Sequence, residues 1–255
     1  MINFIKQIAR EAGKIIREDY DKIETNIKHK GNIDLVTETD LKCDKLLRER
    51  IQSKFPEDCI IIEESEIINQ TSKRRWIIDP LDGTTNFSHR FPFCAVSIGL
   101  EIKGEIHYAV VYNPVLNELF EAEKGKGAFL NGNKISVSKT DKMSNALVAT
   151  GFPYDRWEKA DEYIKDYLVF MKRTQGVRRV GAAAIDLCYV ACGRLDGFFE
   201  RKLKPWDTAA GSLIVTEAGG TVSQFSGASY SCFDETVLAS NSILHKSMIE
   251  IISAT

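Results

Sequence analysis

Residues 76–87 read Trp76-Ile77-Ile78-Asp79-Pro80-Leu81-Asp82-Gly83-Thr84-Thr85-Asn86-Phe87. An apolar run delivers two carboxylates three residues apart and passes at once into a Gly-Thr-Thr loop. Asp79 and Asp82 suit a hard cation, because Mg²⁺ prefers oxygen ligands and draws few of them from any one segment. The backbone N–H groups of Gly83, Thr84 and Thr85 suit an anion, particularly if they open a helix, where unpaired donors and the dipole attract phosphate. Cation and phosphate sites built by adjoining residues point to metal-assisted phosphoryl chemistry. Asp-Pro-x-Asp-Gly is also a good turn, since Pro fixes φ, Asp caps its own turn and Gly permits φ > 0. A plain turn, however, has no need of two successive threonines with an aromatic behind them.

Outward from this segment, hydrophobic periodicity alternates between helix and strand. Phe4, Ile5, Ile8, Ala9, Ala12, Ile15, Ile16 and Tyr20 form a helical stripe over residues 2–20. Leu41, Leu46, Leu47, Ile51 and Phe55 repeat it over 38–55, where Pro56 stops it. Cys59-Ile60-Ile61-Ile62 reads as a buried strand ending in Glu63-Glu64, and residues 75–79 as another that ends at Asp79. Residues 93–122 read as antiparallel strands with turns at Lys103-Gly104 and Asn113-Pro114, and Asn131-Gly132-Asn133 marks a further hairpin. From about residue 143 the pattern changes to a strand at 147–150 and helices at 157–173 and 182–192. A strand at 197–200, a helix at 207–218, a strand near 237–240 and a last helix at 242–253 follow. The expected fold is α/β: layered helices and mixed sheets, with an α+β lobe over 1–142 and an α/β lobe over 143–255 making one catalytic unit.

The chain of 255 residues is 44% hydrophobic and 27% charged, an ordinary composition for a protein with a sizeable core. A net charge of −2 gives no long-range attraction to nucleic acid or an anionic membrane. No apolar run approaches the roughly 20 residues of a spanning helix, and no signal-peptide pattern precedes the first helix. The six cysteines are scattered, and Cys188 and Cys192 sit four apart inside an apolar helical pattern. Buried thiols in a reducing cytoplasm are therefore expected, rather than a zinc site or disulfide. No G-x-x-x-x-G-K-[ST] is present, which argues against a P-loop NTPase.

Four acidic positions share one context. Glu63 and Asp79 end apolar strands, Asp82 sits in the next turn, and Asp207 follows Trp206 at the head of a helix; strand ends and helix starts are where α/β proteins bind ligands. Each has a structural alternative: Glu63 as a solvated charge, Asp207 as an N-cap. Sequence alone does not show that they converge.

Asp34-Leu35-Val36-Thr37-Glu38-Thr39-Asp40, Ile62-Glu63-Glu64-Ser65, Trp76 to Phe87, and Pro205-Trp206-Asp207-Thr208-Ala209-Ala210-Gly211 together resemble the inositol monophosphatase family, in the same order and spacing. The similarity runs from about residue 4 to residue 242. It implies the layered αβαβα fold shared with fructose-1,6-bisphosphatases, a homodimer, Mg²⁺ dependence and lithium sensitivity. By position it implies that Glu63, Asp79, Asp82, Asp207 and the Leu81 carbonyl hold two or three Mg²⁺ ions. Asp82, Gly83 and Thr84 would contact phosphate, with Asp207 also on the substrate. Gly181, Ala182, Ala183 and Glu200 would line the polyol or sugar side. Asp40 would orient the Thr84 hydroxyl, and with Glu63 this pair would position and deprotonate the water that the metals activate for in-line attack. No phospho-enzyme is implied. His29, His89, His107 and His245 have no part in this scheme. Where the family usually has Gly before Glu63-Glu64, this chain has Ile62; Arg90 replaces a commonly small residue; and Lys28-His29-Lys30-Gly31 aligns only with a one-residue shift, so no catalytic lysine is assigned.

The implied substrate is a small phosphorylated polyol or sugar, inositol 1-phosphate first, with fructose 1,6-bisphosphate, a 3′,5′-bisphosphate nucleotide and histidinol phosphate as alternatives. Glu200 suits polyol hydroxyls, whereas Arg201, Lys202 and Arg178-Arg179 suit a second phosphate or are solvated surface charges. A regulatory or binding protein with a structural metal site is the non-enzymatic alternative.

Overall fold

The structure, a computed structural model, describes residues 1–22, 27–29 and 35–254; Asp34, Lys30 and Gly31 lie outside the described residues. In the first half come α1 (Ile2–Tyr20), β1 (Ile27–His29), β2 (Leu35–Thr37), α2 (Glu38–Lys54), β3 (Cys59–Ile62), β4 (Arg74–Asp82) and α3 (Thr84–Ser88). A meander follows: β5 (Ala95–Ile102), β6 (Glu105–Asn113), β7 (Glu118–Glu123), β8 (Ala128–Leu130) and β9 (Asn133–Lys134). The second half contains β10 (Leu147–Thr150), α4 (Arg156–Met171), β11 (Gly176–Arg178), α5 (Ala183–Ala191), β12 (Gly197–Arg201), α6 (Pro205–Glu217), β13 (Thr221–Ser223), β14 (Thr236–Ser240) and α7 (His245–Ile252).

Strands β3 to β9 form a seven-stranded sheet in sequence order, and the second sheet runs β11-β10-β12-β14-β13. Both are mixed, with β3 parallel to β4 and β10 parallel to β11 and β12. Side-chain alternation explains the layering. On β5 and β6, Val96, Ile98, Leu100 and Val110 pack with Ile5, Ile8, Leu47 and Ile51 of α1 and α2. Ala95, Ala109 and Val111 on the other face pack with Leu187, Ala210 and Ile214 of α5 and α6. Phe198, Val237 and Ala239 of the five-stranded sheet close on that same helical layer. Phe199 and Leu238, facing the other way, pack against Phe170 of α4 and Met248 of α7. The result is the expected αβαβα order, with α5 and α6 between the sheets.

One departure from expectation decides the site. Strand β4 does not stop at Asp79 but runs on to Asp82. Asp79 pairs with Ser97 and Asp82 with Ala95, so three steps on β4 oppose two on β5: a bulge at Pro80-Leu81. Proline tolerates that place because a bulge needs no ladder N–H there. In a regular strand residues three apart face opposite sides. The extra residue cancels this and turns Asp79 and Asp82 to the same face, toward α5 and α6, while Leu81 goes into the opposite core.

All six cysteines are free thiols; Cys192 is half-buried and the others buried. Burial pushes the Cys94 thiol up to about 12, so it is inert at neutral pH. No helix among the described residues is long and apolar enough to cross a membrane. His245, at the start of α7, bonds Ser240 Oγ through Nδ1 (2.9 Å) and Ser223 Oγ through Nε2 (2.9 Å). Burial holds its imidazole below the usual value near 6.5. The unfolded chain therefore binds this proton more readily, and stability falls as pH drops below about 6.5. A melting series from pH 7.5 to 5 is expected to fall more steeply for the native protein than for His245→Gln.

Candidate active site

Asp79, Leu81, Asp82, Gly83 and Thr84 at the end of β4 form one wall of a cleft of about 370 Å³. Glu63 lines it from the exit of β3, Asp207 from the first turn of α6, and Gly181, Ala182, Ala183 and Glu200 from the second half of the chain. The structure thus gathers into one cleft every predicted metal and substrate residue. Asp40, the remaining one, reaches the cleft through its hydrogen bond to Thr84.

Local hydrogen bonds aim each group. Asp79 Oδ1 accepts from Leu81 N (2.9 Å), closing the bulge. Asp82 Oδ2 accepts from Ala184 N (2.8 Å), which ties β4 to the start of α5. Asp207 Oδ2 accepts from Lys204 N (2.7 Å), so this residue is an N3 capping partner as well as a cleft residue. Asp40 has two jobs on its two oxygens. Oδ2 accepts from Thr37 N (2.8 Å) in the capping box of α2, and Oδ1 accepts from Thr84 Oγ1 (3.0 Å). Thr84 Oγ1 also lies 3.1 Å from the Leu81 carbonyl. A hydroxyl has one proton, so an ionised Asp40 takes it preferentially.

The loop from Gly83 to Thr85 depends on one left-handed residue. Gly83 caps α3 at φ +86°, and a Cβ there would stand 2.6 Å from the Phe93 carbonyl oxygen. Only glycine fits.

Electrostatics tests whether these residues suit a cation. Burial pushes the Asp79 carboxyl well above its ordinary range, and the charges of Glu63, Asp82 and Asp207 add to the shift; the Leu81 N–H works the other way. Asp82 is pushed up likewise, by burial first and then by Asp207. Among the described residues no three His, Cys, Asp or Glu side chains form a ready-made cage. The acidic groups instead line a shared wall and feel one another's charge. Buried like charges on an all-oxygen donor set are relieved by a hard divalent cation, which takes carboxylate and carbonyl oxygens.

The structure adds residues that the sequence reading did not assign. Asn86 Nδ2 lies 2.8 Å from the Phe93 carbonyl, 2.9 Å from that of Val180 and 3.3 Å from that of Gly181, joining α3 to the loop before α5. Gly151, Phe152, Tyr154, Arg156 and Trp206 also line the cleft, as does Arg179, which the sequence offered as a second-phosphate ligand or a surface charge. Gly151 follows β10 directly, so the strand-end rule that found Glu63 and Asp79 would have found it too. A Cβ on Gly151 would meet both Glu200 carboxylate oxygens at 2.3 Å. If Glu200 binds the hydroxyls of a polyol phosphate, Gly151→Ala is expected to displace it and raise KM for that substrate about tenfold, with kcat changed much less, as steady-state kinetics would show. Arg90 lies away from the cleft: its carbonyl accepts from Tyr20 Oη and its Nη2 donates to the Lys22 carbonyl, both at 2.5 Å.

The sequence model of the inositol monophosphatase family matches residues 1–255. The chain is 42% identical over 253 residues to the Nus factor SuhB of Escherichia coli K12, covering 98% of this chain and 94% of that one. It is 42% identical over 239 residues to an inositol monophosphatase of Dictyostelium discoideum, covering 92% and 88%. Among solved structures, the extragenic suppressor protein SuhB of Bartonella henselae superposes with a TM-score of 0.93 at 39% identity, over 98% of this chain and 97% of that chain.

Proposed function

The chain belongs to the inositol monophosphatase family, and on that premise we propose that it is a Mg²⁺-dependent hydrolase of small phosphate monoesters, inositol 1-phosphate first. The observation that carries this reading is the Thr84–Asp40 hydrogen bond (3.0 Å) on the same wall as two buried carboxylates. A site that only stores a metal has no use for an oriented hydroxyl there.

The reaction takes a monoester and water to a free alcohol and inorganic phosphate. Glu63, Asp79, Asp82, Asp207 and the Leu81 carbonyl would hold two or three Mg²⁺ ions, which supply neutralisation of the phosphate and activation of water when bound. Gly83, Thr84 and Thr85 present amides at the start of α3 to the phosphate oxygens. With its proton directed to Asp40, Thr84 Oγ1 turns lone pairs toward the cleft, where they accept a hydrogen bond from the attacking water. The water's proton passes toward Asp40 or Glu63; burial raises the Asp40 pKa, which suits a proton acceptor. Glu200 faces the alcohol and accepts its hydroxyls, and Ala182 and Ala183 leave room for the ring.

A cytoplasmic homodimer is part of this reading. The regulatory alternative draws on relatives named Nus factor. One assay separates the two: phosphate release with Mg²⁺, with and without Li⁺, from inositol 1-phosphate, fructose 1,6-bisphosphate, adenosine 3′,5′-bisphosphate and histidinol phosphate. Lithium-sensitive turnover of inositol 1-phosphate is expected. No release from any of the four, with Mg²⁺ bound, would leave the regulatory reading standing.

A further inference from the structure

Glu63, Asp79, Leu81 and Asp82 come from the ends of two neighbouring strands, β3 and β4, whereas Asp207 comes from the first turn of α6. The place of Asp207 relative to the others is therefore set by how α6 sits on the seven-stranded sheet.

Two residues of β5 make that seat, and neither lines the cleft. Ser97 is the register partner of Asp79. It is fully buried, and its Oγ donates to the carbonyl of Trp206 (3.2 Å), one residue before Asp207. Two residues on, and so on the same face of the strand, Gly99 lets the helix touch the sheet. A Cβ there would stand 3.1 Å from Ala209 Cβ and 3.3 Å from Ala210 N. Contacts that tight require the helix to give by a few tenths of an ångström. Against α5 the helix is held as closely, since a Cβ on Gly211 would stand 2.6 Å from Leu187 Cδ1. A close-packed interior transmits such a shift instead of absorbing it. Adding a methyl at Gly99 thus moves the first turns of α6, Asp207 included, away from the sheet that carries Asp79 and Asp82. Cations differ in how they meet this change. Mg²⁺ demands ligand oxygens at about 2.0–2.1 Å in near-octahedral order, whereas Ca²⁺ accepts about 2.3–2.6 Å in looser geometry.

We propose that Gly99 and Ser97 are positioning residues that set the width of the cation site, holding Asp207 close enough to Asp79 and Asp82 to favour Mg²⁺ over a larger divalent ion. This deepens the phosphatase reading; it rests on the metal ligands named there and not on turnover. Gly99 sets the separation by letting the helix approach, and Ser97 fixes the rotation of the first turn by holding the Trp206 carbonyl.

Cation binding reads this without turnover. Calorimetric titration of Mg²⁺ and of Ca²⁺ into metal-free protein gives two dissociation constants and their ratio. In Gly99→Ala, Mg²⁺ affinity is expected to fall about tenfold, the lower end for losing a group that orients a metal ligand. Ca²⁺ affinity is expected to fall much less, so the ratio moves toward Ca²⁺. Ser97→Ala releases the Trp206 carbonyl without adding bulk and is expected to move the ratio the same way by less. Ile214→Val trims the buried face of the same helix two turns further on. It is expected to lower the melting temperature and leave the ratio unchanged. An unchanged ratio in both β5 variants overturns the proposal, and so does an equal change in Ile214→Val, which would mark general loosening of the core. If Gly99→Ala fails to fold, Ser97→Ala decides by the same ratio. Native protein that binds neither cation removes the metal site and this role with it. If the ratio shifts as expected but no ester is hydrolysed, the phosphatase reading falls and the positioning role stands.

Discussion

Thr84→Ala is expected to cut turnover of inositol 1-phosphate by about 10²–10⁴-fold, the range for losing a positioned proton-transfer group. The lost methyl and hydroxyl line an open cleft, and the broken bond to Asp40 is worth on the order of 1 kcal/mol. The protein should therefore melt within a few degrees of the native form and bind Mg²⁺ as before. Thr84→Ser keeps the hydroxyl and should keep most turnover. Unchanged turnover in Thr84→Ala, measured at saturating Mg²⁺ and substrate, would show that water is oriented elsewhere and would remove Asp40 from the mechanism.

Asp79→Asn is expected to act in opposite directions on activity and stability. Turnover should fall by at least about 10²-fold, the scale of losing one fixed electrostatic contact to a transition state. Metal-free protein should melt several degrees higher, because the substitution removes a buried charge that Glu63, Asp82 and Asp207 oppose. The amide oxygen can still accept from Leu81 N, so the bulge survives. Native protein should gain more from added Mg²⁺ than the variant does. Scanning calorimetry with EDTA and with Mg²⁺ separates these effects, and a variant less stable in EDTA would show that Asp79 is not under electrostatic strain.

Much of this is legible in the sequence. Helical stripes placed α1 and α2 within a residue of their ends, and the αβαβα order agrees with the family resemblance. The site was legible where chemistry is local: Asp79, Asp82, Gly83 and Thr84 stand together in the chain. Two kinds of feature were not. Period-two alternation puts residues three apart on opposite faces, so the pattern alone could not show Asp79 and Asp82 side by side; the bulge at Pro80 is a backbone event without its own hydrophobic signature. The expected strand end at Asp79 failed for that reason. The second kind is partnering across the fold. Arg201 and Arg179 look alike in sequence, and only the position of Asp166, 35 residues from Arg201, shows that one is occupied.

The Asn86 clamp spans segments 94 and 95 residues apart, while the cleft's two walls otherwise come from separate stretches of chain. The acidic wall and phosphate loop belong chiefly to residues 63–85, and the alcohol wall to residues 151–204, with Asp207 closing the acidic side. If the cleft hydrolyses phosphate esters as proposed, mutation can rewrite the leaving-group pocket while the hydrolytic apparatus is inherited intact. Descendants of one ancestral catalyst could diverge in diet through the 151–204 stretch alone, and grafting that stretch between relatives is the shortest route to a new preference.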